Sequence, residues 1–237
     1  MIKYSQASNF FEINMIKDYY SKKMIAITEK EIQFLKQYIA SKSAVILDVM
    51  CGYGRLANEL FDLGYLNIDG VDLGNYEFIN EKKKFKFYNC NFYKWNSDYL
   101  YDFAYSLYNS YPDYNSFLSV INRCYYLLKE DGIFIIDIFN KEWRDSITKD
   151  SYRIIDENEK EKIELFRYYD GMNEKSIYIV TNENGVNKFT FSQCVISKDK
   201  IKEIIPDCWN LEIMDSSVTK TRDDNQKNIL ILRKKVK

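Results

Sequence analysis

The stretch Val45-Ile46-Leu47-Asp48-Val49-Met50-Cys51-Gly52-Tyr53-Gly54-Arg55 decides the fold of this chain. An apolar run ends around an acid, and two glycines framing one residue then lead into an amphipathic segment. This order of residue types predicts a buried parallel strand, a tight turn and the first turn of a helix. Glycine permits backbone angles that a Cβ disfavours, and it lets a ligand approach the main chain. Because N–H groups at a helix start favour anionic groups, the turn is typical of a nucleotide or cofactor site.

A second predicted strand, residues 66–71, is followed by Asp72. An acid in this position suits two adjacent ribose hydroxyls, which need a paired acceptor. The segment from Gly52 to Ala57 also fits the Gly-x-Gly-x-x-Gly/Ala pattern of dinucleotide sites. A nicotinamide-dependent enzyme is therefore a competing interpretation, although it leaves the preceding Asp48-x-x-Cys51 unexplained.

Five segments in register carry a resemblance to a known family. Asp48-x-x-Cys51-Gly52-x-Gly54-Arg55, followed by Gly70-Val71-Asp72-Leu73, resembles the first two motifs of class I S-adenosylmethionine-dependent methyltransferases of the small-molecule type. Residues 85–92, 101–107 and 127–137 resemble the third, fourth and fifth strands with their flanking segments. The resemblance covers residues 43–140 closely and the rest in outline. It implies an α/β fold with a doubly wound, Rossmann-like, seven-stranded sheet.

The resemblance implies S-adenosyl-L-methionine as the cofactor and places its binding site by residue. The turn glycines hold the methionine end, Asp72 the ribose, and Asn91 with Phe92 the adenine. The full set of implied cofactor-binding residues is Asp48, Met50, Cys51, Gly52, Gly54, Arg55, Asp72, Leu73, Asn91, Phe92 and Ser106. Two positions depart from the family pattern: Met50 stands where a small residue is usual, and Asn91 where Asp is common.

The pattern along the chain predicts one methyltransferase domain over residues 1–237. Apolar spacings of three and four predict helices within residues 1–42, and the resemblance implies that they cover the cofactor and part of the substrate mouth. Helices alternate with strands through the cofactor-binding core, residues 43–150. Within the core we predict helices over residues 56–63, with Gly64 as the stop, and 117–128. The C-terminal segment, residues 198–237, is predicted to hold a helix capped by Ser197 and the terminal strands 209–214 and 228–232.

Residues 151–197 change to an alternation of polar and apolar side chains. The four alternating runs are 152–155, 163–169, 177–181 and 188–196. Asp170-Gly171 lies between the second and third runs, and Asn184-Gly185 between the third and fourth. Both dipeptides readily take the positive φ angles of tight hairpins. We therefore predict an antiparallel β insertion, which serves as a lid, as a homodimer surface or only as cover for a sheet edge.

Substrate-facing residues are expected where the parallel strands end. In open parallel sheets, ligands gather outside the carboxyl ends of the strands. On this ground and on the resemblance, Tyr19, Asn109, Tyr111 and Asn140 are the predicted substrate-binding residues. No catalytic residue is assigned, because direct displacement at a sulfonium methyl group needs mainly positioning and exclusion of water. No metal ligand is assigned, because the chain has no histidine and no Cys-x-x-Cys pair.

The chain contains no histidine, the commonest base for deprotonating an alcohol or phenol acceptor. A neutral amine can attack through its lone pair with little base catalysis, so the sequence favours N-methylation of a small metabolite. Peptide or nucleic-acid methylation, and a non-catalytic cofactor-binding subunit, are the alternatives. The stretch Asn109-Ser110-Tyr111-Pro112 lacks the Asn/Asp-Pro-Pro-Tyr/Phe motif of nucleobase methyltransferases.

Composition bounds the partners and the compartment. The chain has 237 residues and a net charge of −1, so it offers no general attraction to phosphate backbones, and we expect a small-molecule substrate rather than nucleic acid. Five cysteines without a Cys-x-x-Cys pair predict a reduced, cytoplasmic protein. No apolar run reaches membrane-spanning length, so we expect no membrane partner.

Overall fold

The computed structural model describes residues 2–4, 25, 27–74, 84–147, 150–216 and 226–236. Its helices are α1 (27–35), α2 (Arg55–Asp62), α3 (Tyr114–Leu127), α4 (Lys141–Asp145) and α5 (Lys198–Ile204). Its strands are β1 (Ile2–Tyr4), β2 (Ile46–Val49), β3 (Ile68–Asp72), β4 (Lys86–Asn89), β5 (Tyr101–Ser106), β6 (Leu128–Asn140), β7 (Ser151–Glu157), β8 (Lys162–Tyr169), β9 (Asn173–Asn182), β10 (Gly185–Ile196), β11 (Trp209–Asp215) and β12 (Lys227–Lys234).

The core sheet has the strand order β4-β3-β2-β5-β6-β12-β11. The first five strands are parallel, and β12 and β11 add an antiparallel pair at one edge. The order reverses between β2 and β5, so the carboxyl ends of these two strands form the switch point where ligands bind in open α/β sheets. The predicted doubly wound, seven-stranded sheet with an antiparallel β insertion is confirmed.

Local signals explain most element boundaries. Gly64 has a φ of 90° and follows the last turn of α2, as predicted. Ser197 caps α5 by accepting the N–H of Lys200 at 3.1 Å. Helix α3 begins three residues before its predicted start, because the Asp113 carboxylate caps it by accepting the Ser116 N–H at 2.7 Å.

The predicted N-terminal helices are only partly within the described residues. Residues 27–35 form α1, and Ile32, Phe34 and Leu35 are buried against the core. Residues 5–24 and 26 of the predicted N-terminal segment, including Tyr19, lie outside the described residues. The third strand is shorter than predicted, because residues 91–95 form a turn in which Asn91 O accepts the Lys94 N–H at 2.9 Å.

The insertion sheet has the strand order β7-β8-β9-β10-β1. The face that carries the buried side chains of Ile163, Val180 and Phe189 is called the inner face here. Strand β10 then continues into the core, where Val195 pairs with Phe139 and Ile196 with Asn140 of β6. Strand β5 pairs with the same edge of β6, as far as Ile136. The insertion therefore joins the core beside the carboxyl end of β5.

Candidate active site

The turn after β2 holds three residues with left-handed backbone angles. Met50, Gly52 and Gly54 have φ values of 55°, 57° and 79°. A side chain in this region costs about 1–2 kcal/mol, which makes Met50 a strained residue at the centre of the predicted cofactor turn. Its side chain packs against the core cluster that contains Leu47 and Val49.

The ring of Phe85 explains the absence of a side chain at two glycines. A Cβ built on Gly54 or on Gly70 would lie far inside contact distance of this ring. The sequence argument attributed the turn glycines to ligand approach as well as to backbone angles. At Gly54 the Phe85 ring gives a packing reason for glycine that the sequence argument did not find, and the approach of a ligand to this residue stays a prediction.

Asp72 fixes the geometry of the cofactor turn. Its Oδ2 accepts the Gly52 N–H at 2.7 Å, and its Oδ1 accepts the Gly74 N–H at 2.7 Å. Asn89 donates its amide to Gly74 O at 2.8 Å, which holds the loop after β3. In that loop the apolar side chain of Leu73 is 72% exposed. The predicted ribose residue, Asp72, thus lies directly beside the glycine turn.

Asp48 is a buried carboxyl group below the turn. It accepts the hydroxyl of Tyr105 at 2.9 Å. Burial raises the pKa of Asp48 to about 7, and the Tyr105 hydrogen bond and the positive charge of Arg55 oppose the shift. A carboxyl group with this pKa changes its ionisation easily when a charged ligand arrives.

Arg55 joins helix α1 to the glycine turn. It donates to Thr28 Oγ1 at 2.7 Å and to Glu31 Oε2 at 2.6 Å. Burial raises the pKa of Glu31, and its ion pair with Arg55 opposes the shift. Arg55 was predicted as a cofactor residue; in this structure its guanidinium binds the helix that covers the turn.

A second buried ion pair lies at the carboxyl end of β6. Lys227 Nζ donates to Asp137 Oδ2 at 2.6 Å, and the Tyr108 N–H donates to the same oxygen at 3.0 Å. Burial raises the pKa of Asp137, while the charge of Lys227 opposes the shift. Tyr108 has a φ of 68°, so the loop after β5 also carries backbone strain.

Three predicted site residues meet at the switch point. Asn109 donates its amide to Val49 O at 3.2 Å and to Ser106 Oγ at 2.9 Å, which bridges the ends of β2 and β5. The Tyr111 hydroxyl lies 2.8 Å from Ser106 Oγ. Ser106 and Tyr111 are fully buried, so they support the loop from beneath, and Asn109 is half-buried above them.

The predicted adenine and acceptor residues also serve local structure. Asn91 Oδ1 accepts the Tyr93 N–H at 2.9 Å, and Phe92 is buried in the core with its ring near Trp95. Asn140 Oδ1 caps α4 by accepting the Glu142 N–H at 2.9 Å. Asn140 Oδ1 also accepts the Trp143 N–H at 3.4 Å, which occupies both of its lone pairs, whereas Asn91 Oδ1 retains one for a ligand. The roles of these residues in binding remain predictions.

The insertion contacts the loop after β5 directly. The Cys194 N–H donates to Tyr111 O at 2.7 Å, and Ser110 Oγ donates to Gln193 Oε1 at 3.2 Å. The sequence argument did not find Gln193, and it did not find Glu31, Tyr105 or Lys227. Only Lys227 carried a signal, because it is a charged residue directly before a predicted core strand.

Two searches of the described residues gave negative results. No cluster of three or more His, Cys, Asp or Glu side chains that could hold a metal ion occurs in the described part of the chain. No helix among the described ranges is long and apolar enough to cross a membrane.

Comparison with known proteins identifies the fold. No family model and no curated protein matches the chain. The CcbJ methyltransferase from Streptomyces caelestis has a TM-score of 0.74 at 16% identity, over 88% of this chain and 90% of its own. An S-adenosylmethionine-dependent methyltransferase from Clostridium acetobutylicum has a TM-score of 0.74 at 14% identity, over 94% of this chain and 99% of its own. The sugar N-methyltransferase KedS8 from a Streptoalloteichus species has a TM-score of 0.67 at 13% identity, over 94% of this chain and 92% of its own. The chain therefore has the fold of S-adenosylmethionine-dependent methyltransferases, as the sequence motifs indicated.

Proposed function

We propose that the protein is an S-adenosylmethionine-dependent methyltransferase that methylates an amine nitrogen of a small metabolite. The observation that carries the proposal is the pairing of Asp72 with the glycine turn at the switch point of a methyltransferase fold. A turn of this kind on an unrelated fold would support only a nucleotide site. The fold and the motifs together favour a sulfonium nucleoside.

The geometry around Asp72 suits the nucleoside half of the cofactor. Each carboxylate oxygen accepts a backbone N–H, and because a carboxylate oxygen can accept more than one hydrogen bond, a ribose hydroxyl could also donate to this group. The exposed side chain of Leu73 offers an apolar surface for one face of the adenine. The Phe92 N–H and the free lone pair of Asn91 Oδ1 would then contact the adenine edge.

The charge balance suits a cationic cofactor. The charge of Asp137 raises the pKa of Glu31, and the charge of Glu31 raises the pKa of Asp48. The cations Arg55 and Lys227 oppose the raised pKa values of these carboxyl groups. The sulfonium and ammonium groups of S-adenosylmethionine add positive charge. Because an opposite charge favours the ionised form, cofactor binding should ionise Asp48.

The acceptor is proposed to bind outside the ends of β5 and β6. Asn109, Ser110 and Asn140 offer amide and hydroxyl groups there, and the chain contains no histidine to serve as base. The bound cofactor supplies an electrophilic methyl group, and the protein orients the acceptor nitrogen in line with it and excludes water. One relative by fold, KedS8, is described as a sugar N-methyltransferase, which agrees with an amine acceptor.

A binding experiment tests the cofactor assignment. In calorimetry, the protein should bind S-adenosylmethionine and S-adenosylhomocysteine at micromolar concentrations and should not bind NAD. Asp72→Ala should weaken binding by about 1–3 kcal/mol, because it removes the ribose acceptor. Asp62→Ala, which removes an exposed acid after the same turn, is the control and should bind normally. Binding of NAD alone, or normal binding by folded Asp72→Ala, would contradict the proposal.

A second experiment identifies the acceptor. The protein is incubated with a metabolite extract and S-adenosylmethionine carrying an isotopically labelled methyl group, and labelled products are found by mass spectrometry. We expect a labelled small amine. Label confined to protein or nucleic acid would favour the alternatives instead. All five cysteines are free in the structure, which agrees with the proposed reduced, cytoplasmic location.

A further inference from the structure

One row of side chains crosses the inner face of the insertion sheet at Arg167. Ser151 of β7, Arg167 of β8, Ser176 of β9 and Phe191 of β10 are directly opposed in the register. Opposed residues in antiparallel strands project to the same face, with Cβ atoms about 4.5–5.5 Å apart. A guanidinium group therefore stands between two hydroxyl groups on one face of the sheet.

One donor of the Arg167 guanidinium, Nε, is buried without a hydrogen-bond partner in the described part of the chain. The nearest carboxylate oxygen, Glu174 Oε1, is 3.7 Å from Nε, which is too long for a hydrogen bond. A buried donor without a partner costs about 1–3 kcal/mol. The side chain is still 20% exposed, so a ligand can reach it.

Arg167 shares its neighbouring carboxylate with a second arginine, and Asp150, beside Ser151, accepts the Tyr169 N–H at 3.4 Å. Glu174 is already paired with Arg144 at 2.6 Å, and both side chains are 1% exposed. Glu174 also accepts the Gln193 amide at 3.0 Å. Asp145, the acid at the end of α4, is paired with Lys141 at 2.6 Å. One carboxylate thus serves two guanidinium groups, and an added anion would pair with the second.

This row lies next to the proposed acceptor site. Two residues along the strands, the next row on the inner face contains Tyr169, Glu174 and Gln193. The spacing between such rows is about 7 Å. Gln193 accepts a hydrogen bond from Ser110 in the loop after β5. A small molecule with its nitrogen at that loop would have to span this row, whose side chains are buried, to reach Arg167.

We propose that Arg167, with the hydroxyl groups of Ser176 and Ser151, binds an anionic group of the methyl acceptor. The acceptor would then be an amine that carries a phosphate or a carboxylate. A planar guanidinium donates two parallel hydrogen bonds to either group, and the flanking hydroxyls can donate to the remaining oxygens. The assignment of this anion to the acceptor rests on the proposed methyl transfer, whereas anion binding itself does not.

Calorimetry on the full chain saturated with S-adenosylhomocysteine tests the site, with inorganic pyrophosphate, inorganic phosphate and succinate as probes. We expect the wild-type protein to bind at least one probe at millimolar concentration and to perturb the Arg167 Nε–H resonance in a nitrogen–proton NMR spectrum. Arg167→Gln, which keeps hydrogen-bonding capacity but loses the charge, should bind that probe at least tenfold more weakly. Arg167→Lys, which keeps the charge but loses the planar fork, should fall between them.

Arg233→Gln is the matched control, because Arg233 is an exposed arginine on β12 at the opposite end of the core sheet. It should bind the probe like the wild type. Preference for the phosphates identifies a phosphorylated acceptor, and preference for succinate a carboxylated one. Absence of binding of all three probes, or wild-type affinity in Arg167→Gln, would overturn the inference. Failure to bind S-adenosylhomocysteine would instead overturn the proposed function, and anion binding can be measured without that ligand.

Discussion

The contact between Phe85 and Gly54 makes a residue-scale prediction about stability. Gly54→Ala adds a Cβ that meets the Phe85 ring and also forces a side chain into a left-handed backbone. We expect it to lower the free energy of unfolding by about 2–4 kcal/mol, as measured by urea denaturation. Gly64→Ala is the control, because its φ is also positive but no atom lies within 4 Å of the added Cβ. It should cost only about 1–2 kcal/mol.

Phe85→Leu separates the two causes of the Gly54→Ala effect. In the Phe85→Leu background the clash with the added Cβ is smaller. Gly54→Ala should then lower the free energy of unfolding by little more than Gly64→Ala does, because only the left-handed backbone remains unfavourable. A double-mutant cycle gives the coupling free energy between the two positions directly. Zero coupling would show that the ring does not restrict residue 54.

The raised pKa of Asp48 predicts a pH dependence of stability. The pKa is about 7 in the folded protein and close to 3.8 in the unfolded chain. Between these values the folded state holds a proton that the unfolded state has lost, so stability falls as pH rises from about 4 to 7 and then levels off. The total change from this group is about 4 kcal/mol. Asp48→Asn should remove this contribution in urea denaturation followed across pH, and an unchanged slope would contradict the assignment.

At the scale of elements, the Arg55 ion pair holds α1 against the start of α2. Arg55→Met should lower stability by about 3–5 kcal/mol, because Glu31 would remain buried without its partner. The loss should be smaller at pH 5 than at pH 8, because protonation of Glu31 removes the unpaired charge. Adding Glu31→Gln should restore part of the stability at pH 8.

Lys84→Met is the control, because it breaks the exposed pair with Asp62 and should change stability by less than 1 kcal/mol. Equal losses in Arg55→Met and Lys84→Met would contradict this argument.

Local composition determined the elements, and tertiary contacts determined the details of the site. The apolar runs before Asp48 and Asp72 and the alternation after residue 151 predicted strands that the structure contains. Helix α3 began earlier than predicted because Asp113 caps it, a signal that was present in the sequence. No local pattern places Phe85 over Gly54 or Glu31 beside Arg55, because each contact joins segments more than 20 residues apart.

At the scale of the molecule, the insertion and the core form one polar contact region at the proposed mouth. Strand β10 pairs with the end of β6, and Gln193 links the buried Glu174 to Ser110. The sequence predicted the insertion but not its attachment, because pairing between strands that are distant in sequence depends on the whole fold. Its position agrees with a role in binding the acceptor, which Arg167 would extend.

The outer strand of the insertion provides the test of self-association. Strand β7 pairs with β8 and with no other strand in the described ranges, and its Tyr152 and Ile154 side chains are 52% and 45% exposed. An open strand edge with exposed apolar side chains can add a strand from a second copy. We therefore expect sedimentation at twice the chain mass for the wild type and at the chain mass for Ile154→Lys. Tyr126→Lys, which changes an exposed aromatic residue on α3, is the control and should sediment like the wild type. A wild-type protein that sediments at the chain mass at all accessible concentrations would exclude a stable dimer through β7, and the insertion would then be a lid over the acceptor site or cover for a sheet edge.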